Sequence, residues 1–336
     1  MLLQSMAPDL AEEMCRRALV LERVAALQPV GRRQLAARLN MPEREVRRLA
    51  GALRDEGLIG LDASGMTLAS KAEAILAPAR EFSRSMRGLT ALEAELSKLL
   101  RIPRVYIAAG NVDEDAQVLC EVGRLAALKI KAFVQNGQTL AVTGGSTMAQ
   151  VAKHMPSGAP MNIMVVPARG GIGRAMETQA NTLVAEIARK LGGHHRLMHL
   201  PDQVDQTALN EMIRLPEIRE TVELIQRADV ILNGIGRADV MAVNRRLDPE
   251  IHSMLVREGA VAEAFGCFFN KDGSILYNAT CAGVDLNALS PGCSMIAVAA
   301  GKHKAEAMAA VLRRYRHVML ITDESAAKEI IRLLAN

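Results

Sequence analysis

The apolar positions of this chain change period near residue 103, and the change divides it in two. From Asp9 to Leu27, the residues Leu10, Met14, Leu21, Val24 and Ala25 recur at helical spacing until Pro29 interrupts them, which predicts a first helix. Gly31 precedes a short helix over 32–39. Asn40 then makes the turn into a third helix that opens near Pro42 and turns Val46, Leu49 and Leu53 inward at i, i+3 and i+7. Two short extended runs come next, with Asp62, Ala63, Ser64 and Gly65 as turn residues between them. Helix, turn, helix and hairpin predict a winged helix-turn-helix over 1–69, whose third helix suits the major groove of double-stranded DNA. Residues 70–100 are helix-forming except near Pro78 and Gly88, and Leu89, Leu92, Leu96 and Leu99 make an amphipathic strip there. This helical connector either assembles an oligomer or packs on the second domain.

Beyond Pro103 the pattern becomes short apolar runs without strict alternation, at 104–109, 139–143, 161–166, 229–234, 294–299 and 317–322. Runs of this kind are strands buried on both faces, and the helical stretches between them predict an α/β domain over 101–336 with a mostly parallel sheet. Ligands of such sheets bind beyond the carboxyl ends of the strands.

Composition narrows the function. At 336 residues the chain exceeds twice the soft prior of about 150 for one domain, and 50% apolar with 23% charged residues excludes a disordered chain. Aromatic residues are 2% with no Trp, which disfavours stacking platforms for single strands or carbohydrate. The five cysteines (Cys15, Cys120, Cys267, Cys281, Cys293) form no CxxC, and the seven histidines no HExxH, so neither a disulfide framework nor a metal site is expected. With no leader and no apolar run approaching the ~20 residues of a membrane span, a cytoplasmic protein without a membrane partner is expected.

The net charge of +4 is uneven, at +3 over residues 1–90 and +1 over the rest. Between Arg32 and Arg54 lie seven arginines against Glu43 and Glu45. Arginine forks onto phosphates and guanine edges, so Arg32, Arg33, Arg44, Arg47 and Arg48 are the expected DNA contacts. The alternatives are a solvated helix face or a module that grips protein.

Four loops at predicted strand ends carry anion chemistry. Thr143–Met148 pairs adjacent glycines, Gly144 and Gly145, with the hydroxyls of Ser146 and Thr147 at a helix start, a phosphate cradle that is neither a Walker loop nor GxGxxG. The alternative is an ordinary capped strand-to-helix turn. The loop over 167–173 supplies Arg169, and Gln179 and Asn181 open the next helix. Arg245 and Arg246 lie beyond 233–239, Glu263 sits among small and apolar residues, and Lys302 comes after a strand and a glycine. Several cationic strand ends suit a ligand with two anionic ends.

These motifs, in this order and over almost the whole chain, resemble the SorC family of bacterial sugar-responsive transcription regulators, and among them those that govern glycolytic genes. The resemblance implies a Rossmann-like effector domain related to sugar-phosphate isomerases and deaminases. It also implies a DNA-binding repressor that is a homo-oligomer (dimer or tetramer) and holds no cofactor. Its effector would be a phosphorylated sugar, fructose 1,6-bisphosphate foremost. It places the phosphate loop on Gly144, Gly145, Ser146 and Thr147, a phosphate arginine on Arg169, a ligand-contacting glutamine on Gln179, an acid for sugar hydroxyls on Glu263 and a basic contact on Lys302. The second phosphate contact falls on either Arg245 or Arg246. Two other readings stand beside it: an isomerase or deaminase using Glu263 as base and Lys302 as electrophile, and a sugar-phosphate binder whose N-terminal module holds protein.

Overall fold

A computed structural model of the chain describes residues 6–39, 41–171, 175–200, 205–279, 283–284 and 292–335. Asn40, Cys281 and the end of the 167–173 loop lie outside the described residues. The chain separates into two compact units, Met1–Ala91 and Leu92–Asn336, so the division falls inside the predicted connector.

The first unit contains α1 (Pro8–Leu27), α2 (Arg32–Leu39), α3 (Glu43–Asp55), the antiparallel hairpin β1 (Ile59–Asp62) and β2 (Gly65–Leu68), and α4 (Ser70–Met86). Its core joins Leu21 and Val24 of α1, Leu35 of α2, Val46, Leu49 and Leu53 of α3, and Met66 of the hairpin. The three inward positions predicted for α3 are therefore buried. Leu10 and Met14 differ: they face solvent, because α1 buries instead the face carrying Ala11, Ala18, Leu21 and Val24. Asp62 accepts the Ser64 N–H at 2.7 Å, which closes the hairpin turn as its composition predicts. Pro78 does not break its helix: α4 runs through it while packing along α1.

Helix α5 (Leu89–Leu100) comes after Gly88, whose φ of 71° ends the preceding helix. The leucine strip is split. Leu89 and Leu96 are buried within the single chain, Leu92 is half-buried and Leu99 is 40% exposed.

The second unit is built on β3 (Arg104–Ala108), β4 (Thr139–Val142), β5 (Met164–Pro167), β6 (His194–His195), β7 (Val230–Asn233), β12 (Ser294–Val298) and β13 (Val318–Asp323). They form one parallel sheet in the order β3-β13-β12-β7-β4-β5-β6. All six predicted strands are present; the edge strand β6 is additional, and it places His194 and His195 in the sheet rather than in a loop. Residues of β7 and β13 are buried throughout, as continuous apolar runs require. One face of the sheet packs under α6 (Gln117–Phe133), α7 (Ser146–His154) and α8 (Ala180–Leu191) through Val122, Ile130, Val151, Leu183 and Ile187. From β4 the chain continues outward to β5, and from β7 it continues the other way to β12. The neighbouring ends of β4 and β7 are thus the topological switch point, where such sheets bind ligands.

Between β7 and β12 the chain inserts α11 (Ala238–Asn244), α12 (Pro249–Arg257) and an antiparallel sheet in the order β11-β10-β9-β8. Its strands are β8 (Gly236–Arg237), β9 (Ala260–Ala264), β10 (Cys267–Asn270) and β11 (Ile275–Asn278). The sequence pattern does not announce this sheet. The last elements are α13 (Ala305–Arg314) and α14 (Glu324–Ala335). Between β6 and β7 lie α9 (Gln206–Met212) and α10 (Pro216–Gln226).

Candidate DNA interface and anion-binding site

Helix α3 buries Val46, Leu49, Ala50 and Leu53, which leaves Arg44, Arg47 and Arg48 on its exposed side. Pro42, Arg44, Glu45, Arg47 and Arg48 line a shallow cleft there. The three arginines are not equivalent. Both guanidinium nitrogens of Arg48 donate to the two carboxylate oxygens of Glu13 on α1, at 2.7 and 2.6 Å. That fork holds the Glu13 carboxyl down at about 2, against the opposing effect of burial and with Arg17 adding to it. Arg16 bridges Glu12 and Glu45 in the same way, so α1 grips the start of α3 through two ionic contacts. Arg44 and Arg47 have no acidic partner within 4 Å among the described residues, and Arg32 and Arg33 are exposed at the start of α2, Arg33 lying 3.6 Å from Glu43. All five predicted DNA contacts, Arg32, Arg33, Arg44, Arg47 and Arg48, are exposed, and Arg48 is the one forked onto a carboxylate.

In the second unit the switch point is stitched by main chain. Thr143 donates its N–H to Leu232 O at 3.0 Å and accepts the Gly234 N–H on its hydroxyl at 3.3 Å, tying the end of β4 to that of β7. Gly144 lies against Thr178 O, where a Cβ would stand 2.6 Å from the oxygen. Gly145, at φ 119°, donates to the same oxygen at 2.9 Å and forms the N-cap of α7. Ser146 is exposed and Thr147 buried, and the first-turn amides of α7 are left as donors for an anion.

The strand ends on either side bring further predicted residues to this loop. Gln179 is next in the chain after Thr178, and its side-chain oxygen lies where a Cβ on Gly171 would stand only 2.9 Å away. Arg169, 4% exposed, is held by a backbone bridge to Gly283 beyond β5, and its guanidinium covers Gly266. The Gly266 N–H donates at 2.5 Å to Glu263, and Glu263 accepts from Arg245 at 2.7 Å. Gly144, Gly145, Gln179, Arg169, Glu263 and Arg245 thus form one chain of neighbours. Asn181 is not part of it; its amide exchanges two hydrogen bonds with the main chain of Met198 and braces that loop.

The end of α11 sets Arg245 and Arg246 in different surroundings. Arg245 continues the helical turn and is buried, whereas Arg246 takes φ 50° and is exposed. Lys302 lies outside the chain of neighbours: its side chain is 61% exposed and 3.8 Å from Glu329, and its N–H donates to Asp113. Lys304, which the sequence pattern does not single out, is half-buried. Burial pushes its ammonium below the ordinary lysine range, with Asp113 and Asp323 opposing. Asp323 is fully buried and accepts the N–H groups of Gly301 and Val112 at 2.8 and 3.2 Å, clamping the loop that carries Lys304. Nothing in AlaGlyLysHisLys tells the two lysines apart; only the packing of the 3-10 turn over 302–304 does.

Among the described residues no group of three His, Cys, Asp or Glu side chains could hold a metal ion, and no helix is long and apolar enough to cross a membrane. Cys15, Cys120 and Cys293 are free thiols, and the buried Cys267 thiol donates to Asn278 Oδ1 at 3.4 Å.

Comparison with known proteins joins these two sites to one family. Residues 14–82 match the family model described as "CggR N-terminal DNA binding domain" and residues 84–332 that described as "Putative sugar-binding domain". The central glycolytic genes regulator of Priestia megaterium is 38% identical over 332 residues, covering 98% of this chain and 97% of that protein. The regulator of the same name from Bacillus subtilis is 34% identical over 330 residues, with 98% and 97% covered. A solved structure from Enterococcus faecalis, described as a "putative SorC family transcriptional regulator", superposes with a TM-score of 0.67 at 37% identity, over 72% of this chain and 99% of that one. Full-length SorC of Klebsiella pneumoniae, at 17% identity, shares the fold over 93% of this chain and 97% of its own, with a TM-score of 0.67. With a DNA-binding domain followed by a sugar-binding domain over nearly its full length, this chain belongs to the SorC family of transcriptional regulators, on the branch of the central glycolytic genes regulators.

Proposed function

We propose that the chain is a repressor of central glycolytic genes whose grip on double-stranded operator DNA is set by a phosphorylated sugar, with fructose 1,6-bisphosphate as the effector. The observation that carries this reading is the convergence of Gly144, Gly145, Arg169, Gln179, Glu263 and Arg245 at one switch point of a chain that also bears a winged helix-turn-helix. One phosphate would sit on the 144–147 loop with Arg169, the other on Arg245, with Lys304 beyond the carboxyl end of β12, and Glu263 would accept sugar hydroxyls. Charge-assisted hydrogen bonds of this kind are about twice as strong as neutral ones. A ligand lacking one phosphate therefore forfeits a large share of the binding energy. Effector binding that favours one conformation changes the population competent for the operator. A palindromic operator calls for two readers, so the working form is a homo-oligomer in the cytoplasm, dimer or tetramer.

The enzyme reading finds no support in the arrangement: Glu263 is engaged with Arg245 and Gly266, and Lys302 with Glu329 and Asp113. The test is a mobility shift on a palindromic duplex titrated with fructose 1,6-bisphosphate and with fructose 6-phosphate, run beside a turnover assay. The bisphosphate is expected to change operator affinity at concentrations where the monophosphate does not, with neither consumed. Turnover without any effect on DNA binding would sink the proposal.

A further inference from the structure

One contact in the sugar-binding unit is expensive for a site meant to receive an anion. Arg245 already holds a carboxylate: its Nη2 donates to Glu263 Oε1 at 2.7 Å, and the two side chains are 3% and 6% exposed. The same Oε1 accepts the Gly266 N–H at 2.5 Å. That amide is placed by a two-residue turn between β9 and β10 in which Phe265 takes φ 55° and Gly266 φ 79°. A left-handed conformation is disfavoured for a residue such as Phe, and strain of this kind persists only where surroundings enforce it. Any side chain at Gly266 would collide with the guanidinium of Arg169, since a Cβ would lie 1.9 Å from its Nη1. The turn therefore sits under the Arg169 guanidinium while its amide and Arg245 both donate to the Glu263 carboxylate.

We infer that Glu263 is an internal competitor for the anionic ligand, released from Arg245 only by a ligand that brings an oxyanion and a hydroxyl donor together, and that this exchange keeps proton-free oxyanions out of the site. The inference rests on the phosphosugar reading above. Withdrawing Arg245 from Glu263 removes the carboxylate's charged partner in a buried setting, which is strongly unfavourable unless another group compensates it. A sulfate ion competes for the guanidinium but has no proton to give Glu263, and it adds like charge beside it. A phosphosugar offers the guanidinium a phosphate and offers Glu263 a hydroxyl that donates to the freed oxygen. Selectivity then lies in the swap and not in the strength of the phosphate contact alone.

Calorimetry on the full chain with sodium sulfate and with fructose 1,6-bisphosphate tests this on wild type and Glu263→Gln. A neutral amide deprives the buried Arg245 guanidinium of its counter-charge, so sulfate affinity should rise by about tenfold or more while affinity for the bisphosphate falls. If Glu263→Gln lacks the wild-type circular dichroism spectrum, Glu263→Asp serves. It keeps the charge but withdraws it by one methylene, and sulfate affinity should again rise. Unchanged sulfate affinity in a folded variant that still binds the bisphosphate overturns the exchange alone. Failure of wild type to bind the bisphosphate overturns the site reading and the exchange with it.

Discussion

At Glu13 the fold pairs one arginine of the basic patch with a carboxylate while leaving its side chain 53% exposed. The sequence places Arg47 and Arg48 side by side between inward residues, and nothing local separates them. Only the approach of α1 does, by setting Glu13 against the Arg48 fork. The same contact has a pH signature. Because Arg48 lowers the Glu13 carboxyl from its ordinary value to about 2, the ionised pair adds stability that is complete above about 4.5 and is lost as the pH falls toward 2. Acid titration of the melting temperature should therefore show a steeper loss between pH 4.5 and 2 in wild type than in Glu13→Gln. Parallel acid limbs would contradict the pairing. Arg245 against Arg246 and Lys302 against Lys304 teach the same lesson. Neighbouring cations are chemically alike in sequence, and which one is buried depends on where a helical turn ends, a tertiary fact.

Among the elements, α3 is the one whose chemistry is most exposed to test. Arg47→Ala should weaken operator binding by ~1–3 kcal/mol if it reads a base, with no change in melting temperature. Arg48→Ala should instead lower the melting temperature, because it leaves Glu13 with Arg17 alone. A mobility shift and a thermal melt on both variants separate the roles, and equal effects of the two on operator affinity, with both melts unchanged, would refute the division. The elements legible in the sequence are α1 to α3 and the hairpin, by period and turn chemistry, and the six parallel strands, as short apolar runs between helical stretches. The antiparallel sheet β8 to β11 is not legible. Its central turn is Phe265-Gly266, where a hairpin of this length ordinarily carries Asn or Asp before Gly. Its strand β8 is only two residues, Gly236–Arg237, and β9 (Ala260–Ala264) carries alanines and Glu263 rather than a run of large apolar residues. Pro78 misleads for the opposite reason: a local breaker is overridden by packing along α1.

On the scale of the whole molecule, a ligand at the switch point of Leu92–Asn336 is proposed to alter the DNA affinity of a reader in Met1–Ala91. Ligand site and reader each have their own residues, so coupling can be broken without harming the reader. Gly144, Gly145, Gln179 and Arg169 are legible as candidates because glycine pairs and cations at strand ends are readable from strand spacing; the bonding of Arg245, Glu263 and Gly266 is not, since it joins elements distant in sequence. Arg169 is the residue to change, being 4% exposed beside neighbours of the 144–147 loop and belonging to the unit that does not carry the reader. Coupling between sites is a difference in ligand affinity between two states, and it vanishes when the ligand can no longer bind. The decisive measurement is the operator affinity of wild type and Arg169→Ala, each titrated with fructose 1,6-bisphosphate. Equal affinities are predicted without the sugar, and a response to it in wild type alone; an Arg169→Ala protein that responds at the same concentrations as wild type would contradict the proposed coupling.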